Sequence, residues 1–158
     1  MTMKKVILYS ANKIYDCSNR LNLECHLVSH RDFANFSLEL KRFISFLGIS
    51  AEDDYWKTFI RTLKRYRFHW SAAPIPFNYK ESGIHSNLDM LSKHIANCEQ
   101  VFSGFADQAH HLLDTFATLA QLDDNPLLPT IINTLIEGEG DAAILIPKTS
   151  LIPAVEKV

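Results

Sequence analysis

Apolar residues recur at helical spacing through the first half of the chain. Between Phe33 and Leu47 they follow steps of three and four residues, which places them on one face of a helix. A second helix follows Ser50, and its apolar face consists of Trp56, Phe59, Ile60, Leu63 and Tyr66. The connection at residues 48–50 is short and contains Gly48, a residue type favoured where helices end. The pattern therefore predicts an antiparallel helical hairpin.

The longest periodic segment lies at residues 86–122, where steps of three and four continue over more than four heptads. A 3.5-residue repeat of this length is typical of a coiled coil or a helix bundle. We expect its seam, within residues 88–119, to include Leu91, Ile95, Phe102, Phe105, Leu112 and Phe116. One unbroken helix would be roughly 55 Å long, more than the diameter of a small domain. It should therefore either break near Ser103 and Gly104 or pair with a second copy of the chain.

Serine and aspartate residues indicate where the helices begin. A serine precedes an aspartate by three residues at Ser29/Asp32, Ser50/Asp53 and Ser86/Asp89. The hydroxyl can accept a hydrogen bond from an amide of the first turn, and the carboxylate favours the positive end of the helix dipole. A shorter helix is expected to open at Asn125 and to stop at Gly138.

Three segments have the character of strands. Residues 4–10 are rich in Val, Ile, Leu and Tyr, residues 21–27 alternate apolar and polar side chains, and residues 142–146 are a compact apolar run. We therefore predict an α+β fold that is predominantly helical, with a small two- or three-stranded sheet from the N- and C-terminal segments. Residues 1–158 should form a single domain, which is either self-contained or the N-terminal part of a larger protein.

Composition narrows the class of protein. Apolar residues make up 47% and charged residues 22% of the chain, which is typical of a globular domain. The sequence has no signal-peptide pattern and no window with the roughly 20 apolar residues of a membrane span. Its three cysteines (Cys17, Cys25 and Cys98) contain no CxxC pair, which favours reduced thiols. We expect a cytoplasmic protein that does not contact a membrane.

The net charge of −2 conceals an uneven distribution. Residues 1–80 hold 13 Lys and Arg against 7 Asp and Glu, a net +6, whereas residues 81–158 hold 3 against 11, a net −8. Such a division indicates either a surface for an anionic partner or two halves that attract each other within the fold.

The densest group of cations lies at residues 56–70. On a helix, four of them fall within about 100° of arc opposite the apolar face: Lys57, Arg61, Lys64 and Arg65. Cations at this spacing can follow a phosphate backbone, and bases can stack on flat groups near the helix end, Tyr66, Arg67, Phe68, His69 and Trp70. The sequence thus predicts a nucleic-acid-binding surface of Lys57, Arg61, Lys64, Arg65, Arg67, His69 and Trp70. The alternative is an ordinary solvated helix face whose aromatic residues lie in the core.

Enzymatic chemistry has little support. A weak candidate for metal binding is the group Asp107, His110, His111 and Asp114, because carboxylates and imidazoles three or four residues apart share a helix face. The neighbouring apolar seam, however, turns most of these side chains towards solvent. No nucleophile motif and no phosphate-binding loop are present, so we expect no cofactor and no catalytic residue.

The sequence leaves three hypotheses in order of preference. The first is a non-catalytic binding module that contacts an anionic partner, nucleic acid above all, through the basic helix. The second is a homo-oligomeric helical scaffold, or homodimer, assembled through the seam at residues 88–119. The third is a metal-binding helical protein.

Overall fold

A computed structural model describes residues 27–101, 103–137 and 152–156 of the chain. The helices are α1 (Arg31–Leu47), α2 (Asp54–Ala72), α3 (Ile84–Val101), α4 (Ser103–Leu119), α5 (Leu127–Glu137) and the short α6 (Ile152–Val155). Two 3₁₀ turns, Gly48–Glu52 and Lys80–Ser82, lie in the α1–α2 and α2–α3 connections.

Helices α1 and α2 form the predicted antiparallel hairpin. The ring of Phe36 near the start of α1 lies 5.9 Å from that of Trp70 near the end of α2, whereas Phe43 lies 5.8 Å from Phe59. The turn begins at Gly48, whose φ of 55° favours glycine and whose N–H donates to the carbonyl of Ile44. The predicted stop at Gly48 and the predicted hairpin are therefore confirmed.

Helices α3 and α4 complete an antiparallel four-helix bundle. Tyr66 of α2 accepts a hydrogen bond of 2.8 Å from Asn87 of α3, and its ring lies 5.1 Å from that of Phe116 of α4. In an unbroken helix Asn87 and Phe116 would lie about 43 Å apart. A single unbroken helix over residues 86–122 is therefore wrong, and the predicted alternative, a break near Ser103 and Gly104, is confirmed. Helix α3 ends at Val101, and α4 begins at Ser103 and runs antiparallel to α3.

Helix α4 packs closely between α1 and α3. It places two small residues, Ala106 and Ala109, in the core, and small side chains allow two helix axes to approach. Large aromatic rings fill the remaining interior, among them Phe36, Trp56 and Phe116, none of which has any exposed surface. Their packing accounts for the apolar periodicity of all four helices.

The predicted seam lies inside the bundle. Leu91, Ile95, Leu112 and Phe116 are buried, Phe105 packs against the core, and Phe102 lies outside the described residues. The described seam residues contact partners within one chain. A homodimer stays a prediction.

The predicted α+β fold is wrong for the part of the chain that the structure describes, which contains helices and no strand. Most of the three expected strands, at residues 4–10, 21–27 and 142–146, lies outside that part. Leu27, an expected inward-facing strand residue, is described and is 98% exposed. In this part of the chain the four helices bury their apolar faces against one another, and their packing therefore does not require a sheet.

The three predicted serine caps are wrong. Helix α1 begins after His30, whose Nδ1 accepts a hydrogen bond of 3.3 Å from the amide of Phe33, so His30 takes the place expected for Ser29. Ser50 lies in a 3₁₀ turn, and Asp53 precedes α2 without a side-chain capping bond. Helix α3 begins directly after Gly83 and thus before Ser86.

No helix among the described residues combines the length and apolar character that a membrane crossing requires.

Candidate nucleic-acid interface

Helix α2 has an inner and an outer face with opposite chemistry. The inner face consists of Trp56, Phe59, Ile60, Leu63, Tyr66 and Trp70, all of which are buried. The outer face carries Lys57, Arg61, Lys64 and Arg65, all of which are exposed. Because the bundle holds the apolar side chains inward, helical geometry directs these four cations to solvent. The predicted grouping of cations on one side of the helix is present in the structure.

The four outer cations have no carboxylate partner in the described part of the chain. No ion pair there involves Lys57, Arg61, Lys64 or Arg65. On α1, by contrast, Nη1 of Arg42 lies 2.6 Å from Oε1 of Glu39. Arg65 lies 5.4 Å from the centre of the Tyr66 ring, a contact that leaves its charge unneutralised. The outer face thus keeps its positive charge available for a ligand.

Arg67 extends this charge towards α1. Its Nε donates a hydrogen bond of 3.1 Å to the hydroxyl of Ser37. Lys41 follows Ser37 by one helical turn on the same side of α1 and is exposed. Sequence reasoning missed Lys41 because its position beside α2 depends on how the two helices pack. We call Lys41 and the five cations of α2 (Lys57, Arg61, Lys64, Arg65 and Arg67) the basic surface.

The aromatic residues expected to stack on bases do not share one environment. Trp70 is 2% exposed and its ring packs among those of Phe36, Tyr66, Phe77 and Phe116, so it presents no free face. Tyr66 is also buried, and His69 is half-buried.

Phe68 is the exception, since 45% of its surface is exposed. It follows Arg65 by three residues and Lys64 by four, which places it among the outer cations. The same spacing, read from the sequence, would have distinguished Phe68 from the buried Trp70.

A second polar group lies in a groove between α1 and α4. The groove has a volume of about 520 Å³ and is lined by Glu39, Arg42, Phe43, Phe46, Asp107, Gln108 and His111. Glu39 is the central group, since one carboxylate oxygen accepts a hydrogen bond from Arg42 and the other lies 3.7 Å from His111. Within this groove, Arg42 therefore neutralises the carboxylate of Glu39.

The predicted metal candidates are divided between this groove and open solvent. Asp107 and His111 line the groove, whereas His110 and Asp114 are exposed on α4 outside the groove lining. Among the residues that the structure describes, no three His, Cys, Asp or Glu side chains are grouped so that they could hold a metal ion. The geometry gives the metal hypothesis no support.

His94 of α3 lies within an aromatic cluster on the inner face of α2. Its ring centre is 3.9 Å from that of Tyr55 and 5.5 Å from that of Phe59, and the Tyr55 hydroxyl donates to the His94 carbonyl. Burial lowers the pKa of His94 because the imidazolium form loses solvation, although the contact with Tyr55 opposes this shift. Burial also raises the pKa of Tyr55, with a smaller contribution from Cys98. The cluster therefore favours the neutral imidazole of this half-buried residue.

Comparisons with protein-family models, curated proteins and solved structures found no match for this chain. Any assignment of function therefore depends on the residues and their geometry.

Proposed function

We propose that this chain is a non-catalytic module that binds nucleic acid through the basic surface. The observation that supports this proposal is the set of four exposed cations on one face of α2, none of which pairs with a carboxylate in the described residues. An ordinary solvated helix face usually mixes charges of both signs, whereas this face carries one sign from Lys57 to Arg67.

The dimensions of the basic surface suit a polyanion. From Lys57 to Phe68 the helix rises about 16 Å, which is enough to meet several phosphates in succession. Each contact releases condensed counterions, so the affinity should fall as salt is added. If four phosphates are neutralised, the logarithm of the binding constant should fall with the logarithm of salt concentration at a slope of roughly −3 for a single strand.

The charge distribution also favours an anionic partner at this particular face. Glu52, Asp53 and Asp54 are exposed at the N-terminal end of α2, where they complement the helix dipole. The cations begin at the next turn. A polyanion is therefore attracted to the middle and C-terminal part of the helix and is repelled from its first residues.

The test is binding of labelled oligonucleotides, measured by fluorescence anisotropy at about 50 mM salt, where electrostatic contacts are strong. The triple variant Arg61→Glu/Lys64→Glu/Arg65→Glu should lose most of the affinity while retaining its helical circular-dichroism spectrum.

A matched control compares single changes. Arg61→Glu and Lys93→Glu each lower the net charge by two, but Lys93 is exposed on α3 and does not belong to the basic surface. Arg61→Glu should weaken binding more than Lys93→Glu does. Equal effects, or no binding of any oligonucleotide by the unmodified protein at low salt, would refute the proposal.

A further inference from the structure

We infer that the basic surface selects single-stranded over duplex nucleic acid, with the exposed ring of Phe68 as the platform on which a base stacks. This inference rests on the proposed nucleic-acid binding and adds the class of ligand. It narrows the sequence-based expectation, in which bases could stack on Tyr66, Arg67, Phe68, His69 and Trp70, to Phe68, which is 45% exposed.

The first observation is that the Phe68 ring is set apart from the aromatic core. Among the described residues it meets one other aromatic ring, that of His69, at 6.2 Å between centres in an edge arrangement. The Trp70 ring two residues later meets four rings and is buried. A ring that is 45% exposed on the outer face of a well-packed helix contributes little to the core of the bundle.

The second observation is the charge around this ring. On a helix, residues three and four positions apart are neighbours, so Arg65 and Lys64 flank Phe68 on its N-terminal side. Arg61 lies one further turn away, seven residues before Phe68. A base on the ring would thus leave its flanking phosphates within reach of cations that have no carboxylate partner in the described part of the chain.

The third argument concerns the state of the bases. In a duplex each base is already stacked on its neighbours and paired, so a protein ring reaches a base face only after unstacking it, which costs several kcal/mol. In a single strand the base faces are accessible, and stacking on an aromatic side chain is typically tolerant of sequence. Cations alone would bind both forms, whereas the ring adds affinity to the single strand alone.

The experiment measures three probes against the full chain: oligothymidylate, oligouridylate and a DNA duplex of the same length. We expect at least one single strand to bind more tightly than the duplex at equal salt. The variant Phe68→Leu keeps an apolar side chain and removes the aromatic face, and it should weaken single-strand binding about tenfold. Duplex binding should change less than twofold.

Two further variants distinguish the loss of base stacking from a non-specific effect of replacing an exposed phenylalanine. Phe46 of α1 is 49% exposed, lies outside the basic surface and lines the groove, so Phe46→Leu is the matched control and should leave all three affinities unchanged. Phe68→Trp, which enlarges the aromatic face, should restore or increase single-strand binding.

The outcomes distinguish the inference from the function on which it rests. If no probe binds at low salt, the proposed function fails. If the duplex and the single strands bind with equal affinity, the inference alone fails. It also fails alone if Phe68→Leu changes neither the affinity for single strands nor that for the duplex. Comparison of the thymidylate and uridylate probes identifies whether DNA or RNA is the better ligand.

Discussion

The inner and outer faces of the nineteen-residue helix α2 differ in chemistry. On the inner face, Trp56, Phe59 and Leu63 have no exposed surface and hold the helix in the bundle. On the outer face, Lys57, Arg61 and Lys64 are exposed and have no carboxylate partner in the described residues. The difference implies that changes on the inner face should alter folding and changes on the outer face should alter binding.

The largest effect is expected at Trp70, which the sequence alone placed among the ligand-binding residues. Trp70→Ala removes a buried ring that packs on Phe36, Phe77 and Phe116, and it should lower the free energy of unfolding by about 3–5 kcal/mol. Chemical denaturation followed by circular dichroism measures this loss. Trp70→Phe, which retains an aromatic side chain, should fold and bind oligonucleotide nearly as the unmodified protein does. A large loss of affinity in a folded Trp70→Phe variant would contradict the division between the faces.

A smaller loss of stability is expected at Asn125, which holds the end of α2. This side chain is buried, and its amide nitrogen donates to the carbonyls of Trp70, Ala73 and Ile75 at 2.9–3.2 Å. Its oxygen accepts from the amide of Leu127 at 3.0 Å, at the start of α5. Asn125→Ala should leave these backbone groups unsatisfied and cost about 1–3 kcal/mol. A thermal-unfolding midpoint equal to that of the unmodified protein would show that the bonds contribute nothing.

The stability of the bundle is expected to depend on pH through His94, which lies where α3 packs on the inner face of α2. Because burial holds the pKa of His94 below its ordinary value of 6.5, the unfolded chain binds a proton more readily than the folded chain does. The contribution of His94 to stability should therefore be retained above the unfolded pKa and should diminish as the pH falls below it. Unfolding midpoints measured between neutral and mildly acidic pH check this, with His94→Phe as the variant that loses this part of the dependence. An identical pH profile for both proteins would contradict it.

The smallest effects on stability are expected on the outer face. Arg61→Ala and Lys64→Ala remove exposed side chains that make no ion pair in the described residues, so each should change the free energy of unfolding by less than about 0.5 kcal/mol. Both should nevertheless weaken oligonucleotide binding. A stability loss comparable to that of Asn125→Ala would show that the outer face is part of the structural core.

The helices can be predicted from local patterns in the sequence, but the way in which they pack together cannot. Steps of three and four identify the apolar faces of α1 and α2, and Gly48 marks the turn between them. The same steps continue through α3 and α4 without a break, because both helices direct their apolar residues to one shared core. Periodicity alone therefore could not show that the chain reverses between Val101 and Ser103.

The charges of the candidate site are predictable from the sequence, and so is the difference between Phe68 and Trp70. Helical spacing alone places Lys57, Arg61, Lys64 and Arg65 together, since they lie on one element. The same spacing places Phe68 among these cations and Trp70 on the apolar face with Tyr66, in agreement with the exposure of Phe68 and the burial of Trp70. Lys41 belongs to the basic surface because of the way α1 packs on α2, and no local sequence pattern predicts that packing.

We propose that the outer face of α2 binds a polyanion through its unneutralised cations. The most direct test measures the affinity for oligothymidylate over a series of salt concentrations, for the unmodified protein and for Arg61→Glu/Lys64→Glu/Arg65→Glu. We predict a slope of roughly −3 for the unmodified protein on logarithmic axes and weak, nearly salt-independent binding for the triple variant. The same slope and affinity for both proteins would show that these cations do not bind the polyanion.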